Sequence, residues 1–197
     1  MRSIQSETGK LESVILRSVQ NSFLNQEKID QEWQKLHYLD RPDYQRAVGE
    51  YEFFRQLFIT HQIDIIEAPA AELLTMDSIY VRDSTFVCDD GAVLCRMGKT
   101  DRIPESESMR SVYKSQGITV LGEIKAPGKL EGGDILWLDN HTLAVGQGYR
   151  TNAAGIEQLR DFTRDCVDEI IVVPSPHWNG PTDVFHLMSV VSPLDTN

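Results

Sequence analysis

The stretch Ser84-Thr85-Phe86-Val87-Cys88-Asp89-Asp90-Gly91-Ala92-Val93-Leu94-Cys95-Arg96 decides the fold. Apolar and polar residues alternate from Ser84 to Cys88, Asp89-Asp90-Gly91 is a strong turn signal, and a strand resumes from Ala92 to Arg96, so the segment reads as a β-hairpin. A helix should follow. Pro104 with Glu105 and Glu107 fits its start, Met109, Val112 and Tyr113 keep helical spacing, and Gly117 fits a stop before a strand from Ile118 to Leu121. The order is ββαβ.

The same order returns about 50 residues later. Ile135 to Leu138, the turn Asp139-Asn140-His141 and Thr142 to Val145 give a second hairpin, followed by a helix from Asn152 and a strand from Ile170 to Val173. Ile156, Leu159 and Phe162 form the apolar stripe of that helix. Upstream lies a looser version, with a strand from Val14 to Leu16, a long helix through Tyr51, Phe54 and Phe58, and a strand from Ile63 to Ile66. A fourth unit opens at Asp183, with a first strand from His186 to Val191. Repeated units bury their faces on neighbours, so a chain stopping within a unit is expected to be a fragment or a partner-dependent half. Residues 1–197 are expected to form a single, incomplete α/β domain.

Composition narrows the function classes. At 197 residues, 41% hydrophobic and 25% charged, the chain can bury one sizeable core. A formal charge of −11 without a clustered Lys/Arg surface argues against a nucleic-acid partner. No apolar run of about 18 residues occurs and the N-terminus lacks a signal-like stretch, so no membrane partner is indicated and the cytoplasm is the default location. Three cysteines without metal-type spacing argue against a disulfide framework and a structural zinc site.

Charged side chains recur at like places in successive units: Asp77 and Asp83 in Asp77-Ser-Ile-Tyr-Val-Arg-Asp83, Glu131 before Gly132-Gly133-Asp134, and His186 in Phe185-His186-Leu187. The pattern suggests a site around one axis for a planar cation. Each residue also has a plainer reading. On one strand Asp77 and Asp83 would share a face but lie roughly 20 Å apart, so either Asp77 sits on a loop folding back or only Asp83 belongs to the site. Asp83 could form a surface pair with Arg82, Glu131 could begin a turn, and His186 could be a hydrogen-bonded core residue. Val145-Gly146-Gln147-Gly148-Tyr149-Arg150-Thr151-Asn152 only partly matches a dinucleotide fingerprint, so Asn152 reads as a helix cap with Arg150 projecting from the turn. Neither His-Glu-x-x-His nor Gly-x-Ser-x-Gly occurs.

Taken together, Asp77-Ser-Ile-Tyr-Val-Arg-Asp83, Leu130-Glu131-Gly-Gly-Asp134, Gly148-Tyr-Arg150-Thr-Asn152 and Phe185-His186-Leu187 resemble the guanidino-group modifying (pentein) superfamily, which includes dimethylarginine dimethylaminohydrolases, arginine deiminases and amidinotransferases. The resemblance runs from about Asp77 onwards. It implies a pseudo-fivefold α/β-propeller of ββαβ units, of which this chain would supply about three and the start of a fourth. It also implies no metal or other cofactor, a small cationic guanidino substrate, and a cysteine nucleophile that attacks the guanidinium carbon.

By that resemblance Asp83 and Glu131 hold guanidinium nitrogens, His186 is the general acid/base, Arg150 and Arg102 grip a substrate carboxylate, and Asp77 assists at the substrate. Paired charge-assisted hydrogen bonds suit carboxylates to a guanidinium fork, and a histidine titrating near neutrality can protonate a leaving amine. Two departures stand out. The family's nucleophilic cysteine follows the histidine, whereas Cys88, Cys95 and Cys166 all precede His186, and Arg82 stands where dimethylarginine hydrolases tend to have an acid. The reading is therefore guanidine hydrolysis with its nucleophile absent from these residues, with amidino transfer or a non-catalytic guanidine-binding module as alternatives. A homo-oligomer is left open.

Overall fold

Apolar runs too short for helices alternate along the chain with amphipathic stretches, and a computed structural model, which describes residues 4–176, 180 and 185–195, has the mixed α/β fold that such alternation dictates. The chain divides into two units, Lys10–Val81 and Met1–Gly9 with Arg82–Asn197.

In the unit Lys10–Val81, β1 (Ser13–Leu16) pairs in parallel with β2 (Asp64–Glu67), Ser13 facing Asp64. Between them run α1 (Val19–Ser22), α2 (Gln26–Glu32) and α3 (Tyr44–Thr60). Each helix opens on a side-chain cap: Ser18 accepts from the Asn21 N–H, Asn25 from Lys28 and Asp43 from Arg46. Val19, Phe23, Ile29, Leu36 and Met76 form the core, with Trp33, Tyr38, Tyr44 and Tyr51 packed on it. No strand pairs antiparallel here, so this upstream unit lacks the hairpin of the later repeats. Its last feature is a 3-10 turn, Met76–Ile79. Glu32 Oε2 accepts the Met76 N–H at 2.8 Å, and buried Arg17 donates to the Ser78 carbonyl at 3.0 Å.

The other unit contains the ββαβ order twice. β3 (Thr85–Cys88) is antiparallel to β4 (Gly91–Leu94), and α4 (Pro104–Ser115) returns the chain to β5 (Val120–Glu123), parallel to β4. β6 (Ile135–Trp137), β7 (Thr142–Gln147), α5 (Ala153–Thr163) and β8 (Glu169–Pro174) repeat that plan. Both sheets are open and three-stranded. Phe86, Val93 and Cys95 from the first repeat share one core with Ile135, Trp137, Val145, Ile156 and Leu159 from the second. Phe86 and Trp137, each on the first strand of its repeat, stack with ring centroids 5.5 Å apart. Neither repeat closes this core alone.

Two expectations need correction, and one open alternative is narrowed. The strand after α4 begins at Val120 rather than Ile118, because Gly117 takes φ +69° and the Gly117 and Ile118 N–H groups bond the carbonyls of Lys114 and Tyr113. Those two bonds form a Schellman cap, which keeps Ile118 out of the sheet. The expected strand from His186 to Val191 is instead a 3-10 turn, Leu187–Ser189, closed by a Ser189 N–H to His186 carbonyl bond of 2.9 Å. Asp183, where a fourth unit was expected to open, lies outside the described residues. Asp77 and Asp83 share no strand, for they fall in successive 3-10 turns, Met76–Ile79 and Val81–Ser84.

If the two repeats share their core, Leu159→Ala, at a fully buried position of α5, should cost about 2–5 kcal/mol of folding stability. Urea unfolding followed by circular dichroism measures this. An unchanged midpoint would show that α5 does not pack as described.

Candidate active site

Asp83 and Glu131 stand in corresponding places. Asp83 lies in the turn that leads into β3, and Glu131 immediately precedes the 3-10 turn Gly132–Asp134 that leads into β6. His186 caps the turn Leu187–Ser189. The three meet because residue 133 has no side chain: a Cβ there would fall 2.6 Å from Asp83 Oδ1 and 2.7 Å from His186 Cγ.

His186 Nε2 lies 2.6 Å from Glu131 Oε2, and its Nδ1 lies 3.7 Å from Asp83 Oδ1. Glu131 is 0% exposed, and its other oxygen accepts the Gly98 N–H at 2.7 Å. Burial alone would push the Glu131 carboxyl up, yet the His186 hydrogen bond and the charges of His186, Arg150 and Arg102 outweigh it and hold its pKa below the ordinary value. Burial likewise disfavours the His186 imidazolium. The Glu131 hydrogen bond and the charges of Asp83, Glu131 and Asp134 reverse that, and its pKa is raised. We therefore assign a proton to Nε2, donated to an ionised Glu131. Arg150 Nη1, 3.3 Å from the same nitrogen, is then one donor facing another, and Glu131 Oε2 at 3.6 Å is the group that attracts it.

Arg102 is not where a carboxylate grip would need it. It is 2% exposed, its Nη1 donates to Asp83 Oδ2 at 2.9 Å, and its Nε and Nη2 make a fork to Glu105 at 2.8 and 2.9 Å. The expectation that Arg102 holds substrate gives way to that of an internal counter-charge for Asp83. Arg150, by contrast, lines a small, shallow recess with Tyr149, Ser175, Pro176 and Phe185, and Asp134 at its inner side. Asp77 belongs to the other unit, buried at 3% exposure.

Sequence reading missed Glu105, Asp134 and Thr151. Arg102 and Glu105, three apart at a helix start, have the spacing of an ordinary surface pair, and only the fold shows both buried. Asp134 had a signal in the Glu-Gly-Gly-Asp run.

Donor atoms of Asp83, Glu131 and His186 lie within 4.8 Å of one another, a spacing that could hold a metal ion. We read them as a proton-sharing group, because the 2.6 Å contact needs a proton between its two atoms and the nearby Arg150 guanidinium would repel a divalent cation.

None of the three cysteines has the character of a nucleophile. Cys88 and Cys95 are buried, and Cys166 lies in the turn after α5, half-buried. Burial pushes the Cys95 thiol well up, and the charges of Glu131, Asp83 and Asp134 push it further. Burial and its neighbours Cys88 and Asp90 raise Cys166 as well.

Two carboxylates thus flank one imidazole, a largely buried group of acid and base side chains carried by turns of the two repeats and by the His186 turn. Residues 61–197 match the arginine deiminase family model, and the chain belongs to that family, within the guanidino-group modifying superfamily. Among its relatives are N(G),N(G)-dimethylarginine dimethylaminohydrolases. That of Streptomyces coelicolor is 29% identical over 155 residues, covering 79% of this chain and 57% of its own length. That of Pseudomonas aeruginosa is 30% identical over 122 residues, covering 62% and 47%. The chain thus spans about half the length of these curated relatives. In fold it is similar to an amidinotransferase of Microseira wollei, with a TM-score of 0.68 at 15% identity over 92% of this chain and 64% of that one. No helix among the described residues is long and apolar enough to cross a membrane.

Two outcomes follow from the electrostatics. The raised His186 pKa contributes stability that is full below the ordinary 6.5 and is lost as pH rises through the folded value, while the lowered Glu131 pKa contributes stability that is full above the ordinary 4.5 and is lost as pH falls through the folded value. The pair's contribution should therefore be complete between those ordinary values and decline on either side, as urea unfolding across pH would measure. In Glu131→Gln this pair-specific component should vanish, and an identical pH profile for the variant would mean that the pair does not form. A thiol reagent such as Ellman's at pH 8 should modify the folded chain slowly and label all three cysteines at once in urea. A fast reaction of Cys95 in the folded protein would overturn its placement.

Proposed function

We propose that this chain carries the guanidinium-binding and proton-transfer half of an enzyme that hydrolyses an arginine-like or methylarginine-like compound. The observation that carries the reading is the fully buried Glu131 bonded at 2.6 Å to His186, with Asp83 on the opposite side of the ring. A carboxylate kept ionised without solvent is a strong acceptor for a guanidinium fork.

In this reading Asp83 and Glu131 hold the guanidinium nitrogens, and Arg150, at the recess, takes the substrate's carboxylate. Asp77 is assigned to the substrate by its motif alone. A thiolate attacks the guanidinium carbon, His186 protonates the departing amine, and water then displaces the thiolate to give the urea-type product. The thiolate comes from outside these residues, since Cys88, Cys95 and Cys166 are unsuited to the step. In this reading the two ββαβ repeats are units of a pseudo-fivefold α/β-propeller, with Asp83, Glu131 and His186 directed towards its centre. Hydrolysis is preferred to amidino transfer because the curated relatives described above are named as hydrolases.

Titration calorimetry of the chain with arginine, methylated arginines and agmatine tests the reading. Glu131→Gln should weaken binding of the preferred ligand by a hundredfold or more, since loss of one partner of a desolvated charge pair costs about 3–5 kcal/mol. Asp139→Asn, in the exposed β6–β7 turn, should leave it unchanged. Equal affinities for the two variants would remove Glu131 from the site.

A further inference from the structure

Outside the groups assigned above, one buried carboxylate ties together the segments that carry Arg150, His186 and Glu131. Asp134 is 3% exposed. Its Oδ2 accepts the Thr151 hydroxyl at 2.6 Å, and its Oδ1 accepts the Leu187 N–H at 3.0 Å. The Thr151 oxygen in turn accepts the Glu131 N–H at 3.2 Å. Each bonded residue adjoins a residue of the site or is one: Arg150 precedes Thr151, His186 precedes Leu187, and Glu131 is held directly.

The construction is tight. A Cβ on Gly146 would fall 3.0 Å from Asp134 Oδ1 and 3.1 Å from the Leu187 Cβ, so β7 leaves the carboxylate little room to turn. Burial raises the Asp134 pKa, against the bonds from Thr151 and Leu187 that favour its ionised form. The two bonds fall on different oxygens, and a side-chain amide has one acceptor oxygen beside a donor NH2, so at this length only a carboxylate accepts both in this geometry.

We propose that Asp134, through Thr151 and the Leu187 N–H, is the positioning residue that sets the Glu131–His186 contact, acting on the chemistry only through those two side chains. The inference rests on the guanidinium-site reading above. It goes further by assigning a role to the hydrogen-bonded relay that joins the Glu131, Arg150 and His186 segments. Without the relay Leu187 would still pack on Leu136 and Ala144, but apolar packing does not fix the reach of the imidazole, and an imidazole displaced by about 1 Å loses most of a short charge-assisted bond.

The test follows the His186 ring by NMR titration in the 197-residue chain, its resonance assigned with His186→Asn, in the parent, Thr151→Val, Thr151→Ser and Asp134→Asn. The groups facing the imidazole are Glu131, Asp83, Asp134 and Arg150, and Thr151→Val changes the charge of none of them. The parent should titrate above the ordinary histidine value. Thr151→Val, nearly isosteric and lacking the hydroxyl, should lose the part of that upward shift due to the Glu131 bond, and Thr151→Ser should restore it. Asp134→Asn should lose it too. Arginine affinity should fall about tenfold in Thr151→Val and recover in Thr151→Ser.

A folded Thr151→Val that titrates like the parent overturns the positioning role, as does a Thr151→Ser that fails to restore the shift. Should Asp134→Asn not fold, the Val and Ser pair still decides. Failure of the underlying reading looks different: the parent would bind no guanidino compound while its His186 titration still responded to Thr151→Val.

Discussion

Everything at the site depends on keeping Glu131 ionised where no water reaches it. A carboxylate in that position would ordinarily take up a proton. Here it is prevented by a short bond from His186, a backbone N–H from Gly98 and the charges of two guanidinium groups. The same bond explains why His186 holds its proton despite burial, so the two shifts are one interaction seen from its two ends. The absence of a side chain at residue 133 and the two open ββαβ repeats matter because they allow three separate turns to converge on that carboxylate.

Much of the fold could be read from local signals. The Asp89-Asp90-Gly91 turn, the proline at the start of α4 and the Asn152 cap of α5 act within a few residues of chain, and the structure places all three elements as expected. Gly117 ended its helix as expected. Its Schellman cap then held Ile118 back, a shift too fine for spacing alone. The apolar run from Leu187 to Val191 reads as a strand because nothing local forbids it. What makes it a turn includes a bond from the Leu187 N–H to Asp134, a carboxylate more than fifty positions upstream.

The site was legible to a similar depth. Asp83, Glu131 and His186 could be picked out because acids and histidines in apolar surroundings are chemically conspicuous, and the fold brings those three together. Arg102 could be noticed but not placed. Its charge suggested a substrate anion, whereas Glu105 and Asp83 claim it inside the protein. Residue type reports what a group can bind. Which of several suitable partners it meets is a question of burial and distance, and those are properties of the assembled chain.

Asp83 and Glu131 occupy corresponding turns of two like repeats, yet their charges are balanced in different ways. Asp83 is matched by a guanidinium that keeps its charge at any physiological pH, and Glu131 by an imidazole that can give its charge up. A symmetric plan thus yields an asymmetric pair, one carboxylate whose nearest partner is permanently charged and one whose nearest partner loses its charge with a single proton, leaving the more distant Arg150. Should His186 lose that proton, the local negative charge would shift towards Glu131 and the second repeat, while Asp83 stayed balanced by Arg102.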